Sequence, residues 1–157
     1  MNSKVLLGAF ISGIINGIIN GGIKWFSFRG YESIPITVDS ITNDEVTVLG
    51  NAVHLALTLA MILTFVAFFS IKKDRRPGVP KKIWMILKHG FFTFGVVTAL
   101  SVLWQYNVGT VEVGPVAATV IVGVVAGLVA GAVNYLTLEP YTEDEPAASQ
   151  PAEKASI

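Results

Sequence analysis

Residues 8–24 read GAFISGIINGIINGGIK, and the way this stretch is wound decides the fold. As a helix it places Gly13, Gly17 and Gly21 four apart on one face. Ser12, Asn16, Asn20 and Lys24 form a second stripe beside them. The remaining positions are mostly large and apolar. A smooth, small face suits close packing of helices inside a bilayer, where two amides also find partners. It suits water poorly, because each Gly in a soluble helix costs about 1 kcal/mol relative to Ala. The stretch therefore predicts a membrane span.

The rest of the chain agrees. Of its 157 residues 52% are hydrophobic and only 14% charged, against about 25% charged in an average soluble domain. Mean hydropathy is +0.62. Working outward, four apolar runs predict an all-α membrane protein, a bundle of four transmembrane helices over residues 4–26, 43–71, 83–106 and 115–138. Each is near or above the ~20 residues that cross a 30 Å hydrocarbon core. Lys4 ahead of an apolar run also opens a signal peptide. Here the run is long and its amides form no small-residue cleavage site, so a retained span is expected.

Between the first two runs lies RGYESIPITVDSITNDE, residues 29–45. Pro35 disfavours helix at Ile34, so the stretch from Ile34 to Val38 reads as extended. Thr42 with Glu45 three residues on reads as a capping box that would start the second helix near Asn43. Pro115 is well placed to open the fourth helix. Thr110 to Val113 reads as extended, and each half of the chain then runs helix, extended piece, helix. This pattern predicts two parallel helical-hairpin repeats.

Charge is sorted by segment. Residues 72–88 hold seven Lys or Arg and one Asp, with Pro77, Gly78 and Pro80 as breakers. Such a basic link is cytoplasmic by the positive-inside rule, which places both termini inside as well. The membrane expected from this pattern is a plasma membrane of the bacterial, inner type. Lys72, Lys73, Arg75, Arg76, Lys81 and Lys82 are expected to meet anionic lipid headgroups, at about 1 kcal/mol each. Residues 140–157 read as an acidic, disordered tail.

Candidate chemistry is sparse. The chain has no Cys, which removes thiolate metal sites, disulfides and a Cys nucleophile. No Asp or Glu lies in the membrane-crossing part of a helix, against a carboxylate proton relay. His54 and His89 fall near opposite faces of the membrane, so no metal site is expected. No nucleophile–base pair stands out, and neither enzyme activity nor a cofactor is expected. No soluble basic face exists for nucleic acid. His89, beside Lys88 at the cytoplasmic edge, is expected to contact headgroups.

What remains is polarity at one depth. Asn16 and Asn20, then His54 and Thr58, then Ser101 all fall in the outer half of their helices. Unpaired amides in hydrocarbon cost several kcal/mol, so these groups are expected to face one another as a polar vestibule. The expected function is a small, homo-oligomeric channel or permease-like protein for a small solute or ion, lined by Asn16, Asn20, His54, Thr58 and Ser101. The alternative is a non-transporting scaffold or accessory subunit in which the same residues only join helices. Gly123, Gly127 and Gly131 repeat the small stripe of Gly13, Gly17 and Gly21. The two stripes either pack on each other or mediate self-association.

Overall fold

The computed structural model describes residues 3–39 and 45–141. It contains four α-helices: α1 (Ser3–Phe28), α2 (Val48–Ser70), α3 (Val79–Val108) and α4 (Pro115–Leu138). Two short strands sit in the links of each pair, β1 (Ile34–Ile36) after α1 and β2 (Val111–Val113) after α3. Single 3-10 turns follow α2 at Lys73–Arg75 and α4 at Glu139–Tyr141. All four helices are long and apolar enough to cross a membrane. The protein is a membrane-embedded helical bundle. Thr42 of the expected capping box and the acidic tail beyond Tyr141 lie outside the described residues.

Two boundaries differ from the sequence reading, each for a local reason. Helix α2 begins at Val48, not near Asn43, because Thr47 caps it. The Thr47 hydroxyl accepts a hydrogen bond from the Gly50 amide at 3.1 Å, with Thr47 itself in an extended conformation. Replacing Thr47 with Ala is expected to destabilise the protein by about 1 kcal/mol, read as a lower unfolding temperature in detergent. Helix α3 begins at Val79, several residues before Ile83, with Pro80 in its first turn. There the missing proline N–H has no helical partner to lose, so Pro80 starts the helix and does not break it. At the other end Gly109, with φ +78°, closes α3 by donating its N–H to the Gln105 carbonyl at 3.0 Å. Positive φ is a conformation glycine enters without a steric penalty.

The strands pair antiparallel, Ile34 opposite Val113, Pro35 opposite Glu112 and Ile36 opposite Val111. Ile34 and Ile36 are buried against Phe28, Val48, Leu49, Ala118 and Val122, sealing one end of the bundle. Below this strand end, α2 and α4 form the central contact. Their shared core is Ala56, Leu59, Ala60, Ala126, Val129, Ala130 and Val133. Alanines let the two backbones approach, and the branched side chains fill what remains.

The outer helices attach crosswise: α1 lies on α4, and α3 lies on α2. Glycine makes the first contact. A Cβ on Gly13 would stand 2.8 Å from the Gly127 carbonyl oxygen, and one on Gly17 3.0 Å from that of Gly123. Real side chains do not come so close, so α1 and α4 touch backbone to backbone. Gly90 of α3 instead faces side chains of α2: by the same construction its Cβ would stand 2.6 Å from Met61 Cγ and 3.4 Å from Leu57 Cδ1. The burial of residues 51–62 in α2 recurs position for position over residues 121–132 in α4.

Candidate functional site

The polar stripe of α1 occupies the border of the glycine contact. Ser12, Asn16, Asn20 and Lys24 are all half-buried. At 1.5 Å per residue they extend along about 18 Å of the helix. The Asn16 side-chain amide donates to the Ser12 carbonyl at 2.9 Å, and that of Asn20 to the Asn16 carbonyl at 2.9 Å. The amide donors are thus satisfied within the helix. Their Oδ1 atoms accept no hydrogen bond from any described residue. At the strand end, Lys24 Nζ donates to Asn51 Oδ1 at 2.6 Å, and the Asn51 amide donates to the Thr47 carbonyl at 2.8 Å. A charged amine and an amide therefore tie α1 to the start of α2.

The five residues expected to share a vestibule are not brought together within one chain. Asn16 and Asn20 stay on one stripe. His54 and Thr58 are exposed on the outer face of α2, where the Thr58 hydroxyl donates to its own helix at His54 O, 3.0 Å away. The face of α2 turned inward is occupied by Ala52, Ala56, Leu59 and Ala60. The bundle interior is therefore filled by small apolar side chains that pack more closely than polar ones. Ser101 is buried on α3, in a separate cleft against α4.

His89 is where the sequence reading needs correction. It is not at a headgroup surface but 7% exposed, between three helices. The Thr64 and Thr137 hydroxyls each donate to the carbonyl four residues back, Ala60 O and Val133 O, both at 2.7 Å. Their protons being so engaged, both oxygens face His89 Nδ1 as acceptors, at 3.0 Å and 3.3 Å. On this geometry Nδ1 is the donor to both oxygens. Thr93, one turn further along α3, donates to His89 O at 2.7 Å and to Ala56 O of α2 at 3.3 Å. The signal was present in the sequence as His89, Gly90 and Thr93 on one helical face, which marks an inward stripe.

Helices α3 and α4 otherwise touch sparsely. From the His89–Thr137 tie toward the strand end they part, leaving a cavity of about 420 Å³ bounded by Ala52, Val97, Ser101, Val125, Leu128 and Val129.

In the basic loop, Arg76 is turned back onto α2, donating to Ile71 O and Phe69 O, both at 2.9 Å, with its guanidinium 6.0 Å from the Phe69 ring centroid. It satisfies carbonyls at the helix C-terminus, where a cation is favoured. Lys81 lies 5.6 Å from the centre of the Tyr141 ring. Lys72, Lys73 and Arg75 are exposed and Lys82 is half-buried. Among the described residues no group of three or more His, Asp or Glu side chains is placed to hold a metal ion.

Comparison of the chain with protein-family models, with curated proteins and with solved structures found no match.

Proposed function

We propose that the protein is a small homo-oligomeric channel or permease-like protein of a bacterial-type plasma membrane, with the basic loop and both termini on the cytoplasmic side. The polar face shared by α1 and α2 would serve as its pathway. One observation carries this reading: the ladder Ser12, Asn16, Asn20, Lys24 and Asn51 lies at membrane depth, and within it the Asn16 and Asn20 amide oxygens accept nothing from any described residue. His54 and Thr58 stand uncovered on α2. Polar groups facing lipid are costly, so a second copy packed over this face would both shelter them and enclose a path for a small solute or cation.

The repeat read from the sequence belongs to the same proposal. Gly13 meets Gly127 and Gly131, and Gly90 meets Leu57 and Met61, so one offset of 70 relates both sites on α4 to those on α2. Together with the matching burial of the two helices, this supports two α–β–α halves related by an axis along the membrane normal. Under that relation the Ser12, Asn16 and Lys24 stripe of α1 corresponds to His89, Thr93 and Ser101 of α3. One half has kept a polar lateral face while the other encloses its polar groups.

A second reading, the scaffold or accessory subunit, is favoured by the apolar filling of the α2–α4 contact and by amide N–H donors satisfied within α1. Flux through proteoliposomes separates the two. Asn20→Leu and Lys24→Met are each expected to lower solute or ion flux roughly tenfold, the cost of one lost charged or amide contact. Cysteines placed at positions 16, 20 and 54 are expected to react with a water-soluble alkylating reagent. Flux unchanged in Asn20→Leu and His54→Leu, with those cysteines unreactive, would leave the scaffold.

A further inference from the structure

We propose that the cleft between α3 and α4 is a lateral binding site for one acyl chain of a glycerolipid, whose ester carbonyl accepts a hydrogen bond from Ser101. The inference does not rest on the pathway reading, since it concerns the opposite half of the chain.

Ser101 is 4% exposed and makes no hydrogen bond to any described residue. The Thr98 and Thr119 hydroxyls are likewise buried without a partner among the described residues, but neither borders this cavity. Thr58, Thr64, Thr93 and Thr137 all donate to the carbonyl four residues back. A hydroxyl in an apolar membrane interior ordinarily does the same or suffers the loss of its partner. Ser101 instead lines a cavity of about 420 Å³ whose other walls are almost wholly apolar. A cavity of this size, apolar with one placed donor, has the form of a site for a slender apolar molecule carrying an acceptor oxygen.

Depth selects the kind of molecule. Ser101 lies one turn below Trp104, which borders the same cavity near the strand end of α3. Tryptophan marks the boundary between headgroups and hydrocarbon, so the Ser101 hydroxyl sits just under it. A glycerolipid carries its ester carbonyls at that boundary and its tails below. From Ser101 the cavity continues past Val97 to Phe92, nine residues or about 13 Å along the helix, in the direction a tail would take. At the far end the His89–Thr137 contact closes the two helices together.

Photolabelling tests this on the full chain in phosphatidylglycerol vesicles doped with a phospholipid bearing a mid-chain diazirine. Adducts mapped by mass spectrometry are expected to concentrate on residues 92–101 and 125–132 over equally lipid-exposed positions such as Ile18 and Phe91. Ser101→Ala is expected to reduce them about three- to tenfold, the yield of one hydrogen bond, with the unfolding temperature retained. Ala132→Phe, at the exposed rim, is expected to abolish them by filling the cleft. Adducts spread over all four helices in proportion to exposure would reduce the site to ordinary surrounding lipid and overturn the proposal. Labelling by a diazirine fatty acid but not by the phospholipid would overturn the glycerolipid assignment.

Discussion

Leucine in place of Gly13 is expected to separate α1 from α4 and lower stability by about 3 kcal/mol, the upper range for overpacking a close contact. The atom opposing it is a backbone carbonyl of Gly127, which cannot rotate away as a side chain would. The helices must part, and the neighbouring Gly17–Gly123 contact is lost with the first. An alanine series along α1 makes the expectation sharper, because alanine also adds up to about 1 kcal/mol of helix propensity. Gly13→Ala is expected to destabilise most, then Gly17→Ala, whose Cβ would stand 3.0 Å from a carbonyl. At Gly21 the nearest atom is 3.6 Å away, an ordinary contact, and the change should be close to neutral. At Gly22 nothing lies within 4 Å, and alanine should stabilise. Unfolding temperatures in detergent read this order directly. An unchanged sign across all four positions would mean that α1 does not lie on α4 as described.

The second large effect is expected at His89. Its replacement by Ala removes a buried ring and two hydrogen bonds at once. Hydrogen bonds in membranes average about 0.6 kcal/mol, so the bonds alone supply little more than 1 kcal/mol. The cavity left by the ring adds more, and a total loss of about 2–4 kcal/mol is expected. His89→Asn, whose amide nitrogen falls near the position of Nδ1, should recover part of it. A double-mutant cycle with Thr64→Val should show coupling of about 0.5–1.5 kcal/mol. Coupling near zero would show that the Thr64 contact, 3.0 Å long, does not hold α3 in place. Since α3 and α4 touch little elsewhere, the His89→Ala protein should also lose the cleft that contains Ser101.

The polar residues show where reading along the chain succeeds and where it stops. Asn16 and Asn20 share a stripe because a helix has a fixed period. His54 and Thr58, four apart, share one face of α2 for the same reason, and both are exposed. The helical period does not give the direction in which that face points. Hydropathy says that α2 is in the membrane but not which side of it meets α4. Alanine and valine won the interior because they pack closely, and the histidine face was left outside. His89 shows the converse: its place beside Lys88 suggests a surface, whereas its three threonine neighbours come from three helices. Only one of them, Thr93, is local.

By itself the sequence determined what each segment could be: four apolar rods of membrane length, glycine stripes at a period of four, Pro115 opening a helix and Pro35 imposing an extended link. These are consequences of backbone sterics and of transfer from water to hydrocarbon, and both act on neighbouring residues. Tertiary structure decided the rest: the pairing of α1 with α4 and of α3 with α2, the ribbon joining Ile34 to Val113, and the burial of His89 and Ser101. Inside a bilayer lipid tails are as apolar as leucine, so no solvent tells a helix which way to turn. Its rotation is set by contacts between residues far apart in the chain, such as the Gly13 and Gly127 backbones that lie close enough to exclude a side chain.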